Sequence, residues 1–170
     1  MPLIPATPAD APALSILMEQ TFRAAYGDAA SEDKLKIHVA RSYDPGTIAQ
    51  RLRSGEIGIW YAPGATDAAS DAIGYVQLGF NVSPPAASGP AIEVQRCYLR
   101  PEAIGTGAGA WLIEMAKQQA QARGVGLFLS VYQLAPRAIR FYEKHGLRRA
   151  AAVKYYIADV EFDDWLMVWP

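Results

Sequence analysis

One stretch of the chain decides the fold: Tyr98–Leu112, which reads YLRPEAIGTGAGAWL. Three alternating glycines, Gly105, Gly107 and Gly109, lie where an extended apolar segment gives way to a helical pattern. Because glycine has no Cβ, the backbone can approach a ligand closely there, and the first N–H groups of the following helix can bind an oxyanion. The stretch predicts a loop that binds a pyrophosphate, although glycine-rich loops also serve as plain tight turns.

Length and composition predict a single domain over residues 1–170, with one compact core. Lys and Arg number 16 against 17 Asp and Glu, and no basic block occurs, so we expect neither nucleic acid nor an anionic membrane as a partner. Cys97 is the only cysteine, and neither a signal peptide nor a membrane-spanning run is recognisable. These features predict a cytoplasmic protein, and the two distant histidines predict no metal site.

The hydrophobic period alternates between helix and strand values along the chain, which is typical of an α/β protein. Helical spacing is predicted at Leu14–Phe22, Asp33–Ser42, Thr47–Arg53, Ala108–Arg123 and from Pro136 to Gly146. Strands are predicted at Ile57–Ala62 and Ala72–Phe80, which form a long-looped hairpin, then at Ile92–Leu99, at Leu127–Tyr132 and around Asp163-Asp164 within Ala152–Val168.

The order strand, glycine loop, helix, strand and short helix over Glu93–Leu147 resembles the core of the GNAT superfamily of acyl-CoA N-acyltransferases. Gly105–Gly109 fall on that family's pyrophosphate loop, and Ala138–Leu147 on its signature of a short helix that ends at a glycine-hydrophobic pair. Weaker similarity to the branch that includes polyamine acetyltransferases extends through Thr21-Phe22, Tyr26-Gly27 and Asp163-Asp164-Trp165.

The resemblance implies an α/β fold of the mixed α+β kind, a single GNAT-like domain with a twisted mixed sheet flanked by helices. Its central strands, Ile92–Leu99 and Leu127–Tyr132, are expected to splay apart around the pantetheine arm of acetyl-CoA. A splayed strand leaves an unpaired N–H that can stabilise an oxyanion. The acetyl-CoA-binding residues implied by the resemblance are Cys97, Tyr98, Leu99, Ile104, Gly105, Thr106, Gly107, Ala108, Gly109, Ala135 and Tyr142.

The implied reaction is direct acetyl transfer from acetyl-CoA to a primary amine of a small molecule or peptide. Tyr142, at the family's usual general-acid position, would protonate the departing thiolate, because a phenol is still protonated at neutral pH. Glu93 is the candidate base. Both residues also have structural interpretations, Tyr142 as a core tyrosine and Glu93 as a solvent-facing carboxylate, and the sequence leaves a homodimer open.

Several positions depart from the family pattern. Ile104 replaces the usual Arg or Gln, Thr106 stands where a basic residue is common, and Ala135 replaces an asparagine that caps the short helix, a cap worth about 1 kcal/mol. Gln133 is the candidate replacement for that cap. These losses favour the alternative hypothesis of a non-catalytic, GNAT-like protein that binds or senses an acyl-CoA.

A second alternative is a dinucleotide-binding fold, because residues 105–110 fit the pattern GxGxxA. The following strand ends at Tyr132-Gln133 without the acidic residue that would hold a ribose, which argues against it. For the acceptor, Tyr26, Trp60, Tyr75 and the loop Asn81–Pro90 are candidate walls, with core or hairpin packing as the other interpretation.

Overall fold

The computed structural model describes residues 2–84 and 89–170, and its elements follow the predicted order. The helices are α1 (Ala11–Tyr26), α2 (Glu32–Ser42), α3 (Pro45–Ser54), α4 (Ala108–Arg123) and α5 (Pro136–Lys144). The strands are β1 (Ile4–Pro5), β2 (Ile57–Ala62), β3 (Gly74–Val82), β4 (Ala91–Leu99), β5 (Gly126–Tyr132), β6 (Arg148–Ile157) and β7 (Val160–Trp169).

Helix boundaries lie where the sequence has capping residues. Before α1, the Asp10 carboxylate accepts hydrogen bonds from the backbone N–H and the hydroxyl of Thr7, both at 2.8 Å. Asp44 caps α3 by accepting from the backbone N–H of Thr47 at 2.7 Å, and Gly55 ends that helix with a φ of +71°. Short polar side chains at the start and glycine at the end therefore set these particular helix bounds.

The sheet is mixed, as predicted. Its strand order is β1-β2-β3-β4-β5-β7-β6, and the pairs are antiparallel except for β4 with β5. The C-terminal segment is a hairpin of two ten-residue strands, so Asp163 and Asp164 lie inside β7. With one parallel pair, this sheet is not the doubly wound parallel sheet of a dinucleotide-binding fold, and that alternative is wrong.

Helices cover both faces of the sheet and bury two main apolar cores. On one face, α1 packs Leu14, Met18 and Phe22 against strand residues that include Ile59 and Tyr75. On the other face, α4 buries an apolar stripe against β3, β4 and β5. The stripe and its strand partners include Leu112, Ile113, Ala116, Leu78, Ile92, Leu127 and Leu129.

The two central strands separate after a short paired stretch, as the resemblance implies. Parallel pairing joins only Ala91–Glu93 to Gly126–Phe128, although β4 continues to Leu99 and β5 to Tyr132. Before the two strands diverge fully, β4 carries a bulge at Gln95, because Gln77 of β3 pairs with Arg96 and the next residue, Leu78, pairs with Val94. The divergence opens the sheet and places backbone groups of both strands along a gap.

Candidate active site

A cleft of about 790 Å³ fills the gap between β4 and β5 and reaches both faces of the sheet. On the α4 side, the glycine loop, the first turn of α4 and helix α5 form its walls. On the α1 side, the end of α1 and aromatic side chains of the diverging strands form its walls. The predicted acetyl-CoA-binding residues that line it are Cys97, Tyr98, Leu99, Ile104, Gly105, Gly107, Gly109, Ala135 and Tyr142.

The glycine loop adopts a conformation that other residues tolerate poorly. Gly105 and Gly107 have φ values of +91° and +94°, in the left-handed region, and a Cβ on either would point into open space. Gly109 has a different role, because a Cβ there would contact the Phe141 ring at 3.4 Å. The loop therefore presents bare backbone beside the N-terminus of α4, a sixteen-residue helix whose first N–H groups favour an anion.

Strand β4 turns the backbone groups of two of the three predicted positions, Cys97 and Leu99, toward the gap. Arg100, directly after β4, donates its N–H to the carbonyl of Ile73, directly before β3, at 2.8 Å. Because the hydrogen bonds of an antiparallel pair alternate along the strand, Tyr98 also faces β3, whereas the backbone groups of Cys97 and Leu99 face β5. Since β5 has diverged there, these groups are available to an extended ligand.

The Tyr142 hydroxyl lies near the Cys97 thiol. Burial raises the pKa of Tyr142 well above its usual value, and the nearby thiol adds to this effect. Burial likewise raises the pKa of the Cys97 thiol to about 12. Both groups are therefore protonated at neutral pH, and Tyr142 can act as a proton donor in the cleft.

Two of the three departures from the family pattern, Ile104 and Ala135, line the cleft. Ile104 exposes 46% of its surface there, and Ala135 starts α5 without a side-chain cap. Gln133 does not replace the cap, since its amide donates to the backbone carbonyl of Asp164 at 3.3 Å. Thr106 and Ala108 do not line the cleft, and the Thr106 hydroxyl instead donates to the carbonyl of Ala103 at 2.8 Å.

Glu93 is the last residue of β4 that pairs with β5, where it lies opposite Phe128, and it does not line the cleft. Its carboxylate accepts a hydrogen bond from the Gln95 amide at 3.3 Å. Gln95 does line the cleft, so Glu93 reaches the site through this neighbour. Glu93 as the base stays a prediction.

Tyrosines dominate the wall on the α1 side. Tyr26, Tyr98 and Tyr132 line it, and burial raises the pKa of Tyr26 to about 12. Arg96 completes the wall, with its guanidinium donating to the Gln77 side chain at 2.8 Å and lying 4.8 Å from the centre of the Tyr43 ring.

The other candidate walls predicted for the acceptor lie elsewhere. Tyr75 is fully buried in the α1-side core, and Trp60 packs against the core on the opposite face without lining the cleft. Residues 85–88 of the loop Asn81–Pro90 lie outside the described residues, so that part of the expectation stays a prediction.

Asp164 is a residue beside the cleft that the sequence singled out only through the weaker family similarity. It lies in β7 next to Tyr132 of β5, and 3% of its surface is exposed. The Ser130 hydroxyl lies near the carboxylate, whereas Oδ1 has no hydrogen-bond partner among the described residues. Burial raises the pKa of Asp164 to about 6.

Comparison with protein families identifies the chain. The sequence matches the model of the Acetyltransferase (GNAT) family over residues 17–147, which is 131 of 170 residues. The chain belongs to this family. The family resemblance of the glycine loop and of the short helix is thereby confirmed, since both lie inside the matched range. A search of curated proteins with the sequence gives no match.

Solved structures of GNAT proteins share the fold of this chain at low sequence identity. PaiA N-acetyltransferase from Thermoplasma acidophilum, solved with coenzyme A, has a TM-score of 0.73 at 19% identity and covers 99% of this chain and 98% of its own. NAA60 from Arabidopsis thaliana, solved with a bisubstrate analogue, has a TM-score of 0.73 at 18% identity, with coverages of 99% and 96%. Ribosomal-protein-alanine N-acetyltransferase from Brucella melitensis has a TM-score of 0.73 at 19% identity and covers 99% of both chains.

A metal site and a membrane-spanning helix are both absent from the part of the chain that the structure describes. Within residues 2–84 and 89–170, no three His, Cys, Asp or Glu side chains come together in a way that could hold a metal ion. Over the same ranges, no helix has the length and apolar character needed to cross a membrane.

Proposed function

We propose that the protein transfers an acetyl group from acetyl-CoA directly to a primary amine of a small molecule or peptide. One observation carries the proposal: the sheet opens between β4 and β5 at the point where the glycine loop and the N-terminus of α4 meet the gap. Membership of the GNAT family and the relatives solved with coenzyme A or acetyl-CoA support acetyl-CoA as the co-substrate.

The walls on the α4 side suit the CoA half of the substrate. The backbone of residues 105–109 and the first turn of α4 would hold the pyrophosphate, because free N–H groups and the helix dipole favour negative charge. The backbone groups of Cys97 and Leu99 would pair with the amide groups of the pantetheine arm, as a neighbouring strand would. The thioester then lies at the centre of the sheet, with the tyrosine-walled half of the cleft beyond it.

Tyr142 is the proposed general acid. Its hydroxyl lies beside the strand that would hold the pantetheine arm, and it is protonated throughout the neutral range. As the C–S bond breaks, it would donate its proton to the thiolate of CoA. Backbone N–H groups along the diverged part of β4 would stabilise the oxyanion that forms on the carbonyl.

The test is a panel of acceptors assayed with acetyl-CoA and thiol detection. Polyamines, amino acids, aminoglycosides and peptides with free N-termini are compared, and acetyl-CoA affinity is measured separately by calorimetry. Thiol release that depends on an acceptor, with a matching acetylated product by mass spectrometry, supports the proposal. Acetyl-CoA binding without transfer to any acceptor would favour the hypothesis that the protein is a sensor. The missing side-chain donors at Ile104 and Ala135 support that hypothesis. Absence of acetyl-CoA binding would overturn both.

A further inference from the structure

Asp164 combines three properties that a purely structural carboxyl group rarely shows. It is almost fully buried, with 3% of its surface exposed. Among the described residues, its Oδ1 atom has no hydrogen-bond partner, and its carboxylate forms no ion pair. Burying an ionised carboxylate without a partner is costly, so such groups are normally paired or hydrogen-bonded. The unpartnered oxygen indicates a missing donor.

Asp164 does not itself line the cleft, but side chains around it do. Ser130, which is exposed and lines the cleft, lies near the carboxylate. The negative charge of Asp164 contributes to the raised pKa values of Tyr26 from α1 and Tyr155 from β6, so both phenols lie near it. Tyr132 is its neighbour on β5. Aromatic faces around a buried carboxylate attract an organic cation.

We propose that Asp164 binds the ammonium group of the acceptor and takes its first proton, which makes it both a specificity determinant and the catalytic base. This inference rests on the proposed acetyl transfer and names the class of acceptor: a primary amine that enters as its cation, between tyrosine side chains. Glu93 does not line the cleft either, and its carboxylate already accepts a hydrogen bond from Gln95, so it is less suited to this role.

The protons balance over one turnover. Asp164 takes one proton from the ammonium group, and the neutral nitrogen attacks the thioester carbonyl to form the C–N bond. As the C–S bond breaks, Tyr142 gives its proton to the sulfur and regains one from the acceptor nitrogen, which becomes the amide. Asp164 then releases its proton to solvent. The products are the acetylated amine, CoA as its thiol, and one proton.

The experiment compares Asp164→Asn with Asp163→Asn as the matched control. Asp163 is the adjacent residue of β7, but its side chain is 65% exposed and pairs with Lys154 at 2.6 Å. Each protein is saturated with CoA, which blocks turnover, and calorimetry measures the binding of spermidine and tyramine at pH 7.5 and pH 5. In parallel, kcat/KM is followed against pH for the acceptor that the wild type acetylates fastest.

The wild type and Asp163→Asn should bind at least one of the two amines about tenfold more weakly at pH 5 than at pH 7.5, because Asp164 becomes protonated as pH falls. Asp164→Asn should bind it at least tenfold more weakly at pH 7.5, without dependence on pH. Its kcat/KM should fall at least tenfold and lose the decline below pH 6, while acetyl-CoA affinity stays within twofold. The other titratable groups near Asp164 are the phenols of Tyr26, Tyr132 and Tyr155 and the carboxylate of Asp163, whose negative charge also raises the pKa of Asp164.

Three results would overturn the role of Asp164 while leaving acetyl transfer intact: no binding of either amine to the wild type, equal binding to Asp164→Asn, or a larger loss of kcat/KM in Glu93→Gln than in Asp164→Asn. A loss of acetyl-CoA affinity in Asp164→Asn would also overturn it, since the residue would then shape the whole cleft. Failure of the proposed function looks different, because the wild type would then bind no acetyl-CoA or transfer no acetyl group.

Discussion

At the scale of single residues, a substitution of Tyr142 distinguishes most clearly between a chemical and a structural role. Tyr142→Phe keeps the ring that packs against Phe141, with ring centres 5.2 Å apart, and removes only the hydroxyl near Cys97. We expect turnover to fall by roughly 10²-fold, the usual effect of losing a positioned acid, with acetyl-CoA affinity unchanged. Steady-state kinetics and calorimetry check this. Lower thermal stability with full turnover per folded molecule would instead assign Tyr142 to the core.

A second residue, Ile104, tests where the phosphates bind. Ile104→Arg restores a cation at an exposed position on the mouth of the cleft, where the backbone is extended and accepts any side chain. A charge-assisted contact is worth roughly 1.5–3 kcal/mol when well formed, and solvent screening lowers that value here. We therefore expect a several-fold gain in acetyl-CoA affinity that declines as salt is added.

The matched control for Ile104→Arg is Ile16→Arg, which adds the same charge at another exposed isoleucine, in α1 and away from the cleft lining. Calorimetry at low and high salt compares the two variants. A similar gain in both would reflect net charge alone, and no gain in either would mean that the phosphates do not approach residue 104.

At the scale of elements, the left-handed backbone of the glycine loop affects both stability and ligand binding. Substitutions at two glycines with similar backbone geometry, one inside the loop and one outside it, distinguish the two effects. Gly107 and Gly55 have φ values of +94° and +71°, and a Cβ on either would meet no atom within 4 Å. Alanine at either position should lower the free energy of unfolding by about 1–2 kcal/mol, because L-residues disfavour the left-handed region. Only Gly107→Ala should also weaken acetyl-CoA binding, by tenfold or more, since its methyl group points to where the pyrophosphate would lie.

Chemical denaturation and calorimetry on Gly107→Ala and Gly55→Ala check this prediction. Gly55 ends α3 and does not line the cleft, so it reports the cost of strain alone. If Gly107→Ala lost the same stability as Gly55→Ala and kept its acetyl-CoA affinity, the loop would be a plain turn and the phosphate assignment would fail.

Element bounds could be predicted from the sequence largely because they depend on local signals. Gly124, for example, ends α4 with a φ of +64° where the glycine predicts a helix C-terminus. The buried face of α4 was harder to predict from the sequence. Met115 and Gln119 follow Leu112 at helical spacing, but the structure buries Ile113, Ala116 and Ala120 with Leu112 instead. Alanines carry little periodic signal, so the contacts with the sheet, rather than the local pattern, decide which side of this helix is buried.

At the scale of the whole molecule, the site depends on strand register, which a local pattern does not encode. The splayed strands and the glycine loop were accessible through the family resemblance. The position of Asp164 was not, because it is set by the pairing of β7 with β5, which brings it beside Tyr132 across 32 positions of sequence. The same long-range placement explains why Tyr75, predicted as a candidate wall, is buried in the core instead.

The buried carboxylate also affects the stability of the whole fold, and the sign of that effect can be tested. The pKa of Asp164 is about 6 in the folded protein and 3.8 for an ordinary aspartate, so the folded state binds this proton more tightly than the unfolded chain. The stability associated with the protonated group is therefore complete below pH 3.8 and is lost as pH rises through 6. The loss has a ceiling of about 3 kcal/mol, at 1.36 kcal/mol for each pH unit of difference.

Asp164→Asn removes this titration and keeps the shape of the side chain. We expect the variant to be about 1–3 kcal/mol more stable than the wild type at pH 7.5, with the difference disappearing near pH 4, where the wild-type carboxyl group is protonated. Urea denaturation at both pH values measures this, and Asp163→Asn should show no comparable gain. A gain in stability together with a loss of amine binding would mean that the fold retains a destabilising carboxylate at its acceptor site for function, as functional sites often do. Equal stability of Asp164→Asn and the wild type at pH 7.5 would mean that water or a neighbouring group already satisfies the carboxylate.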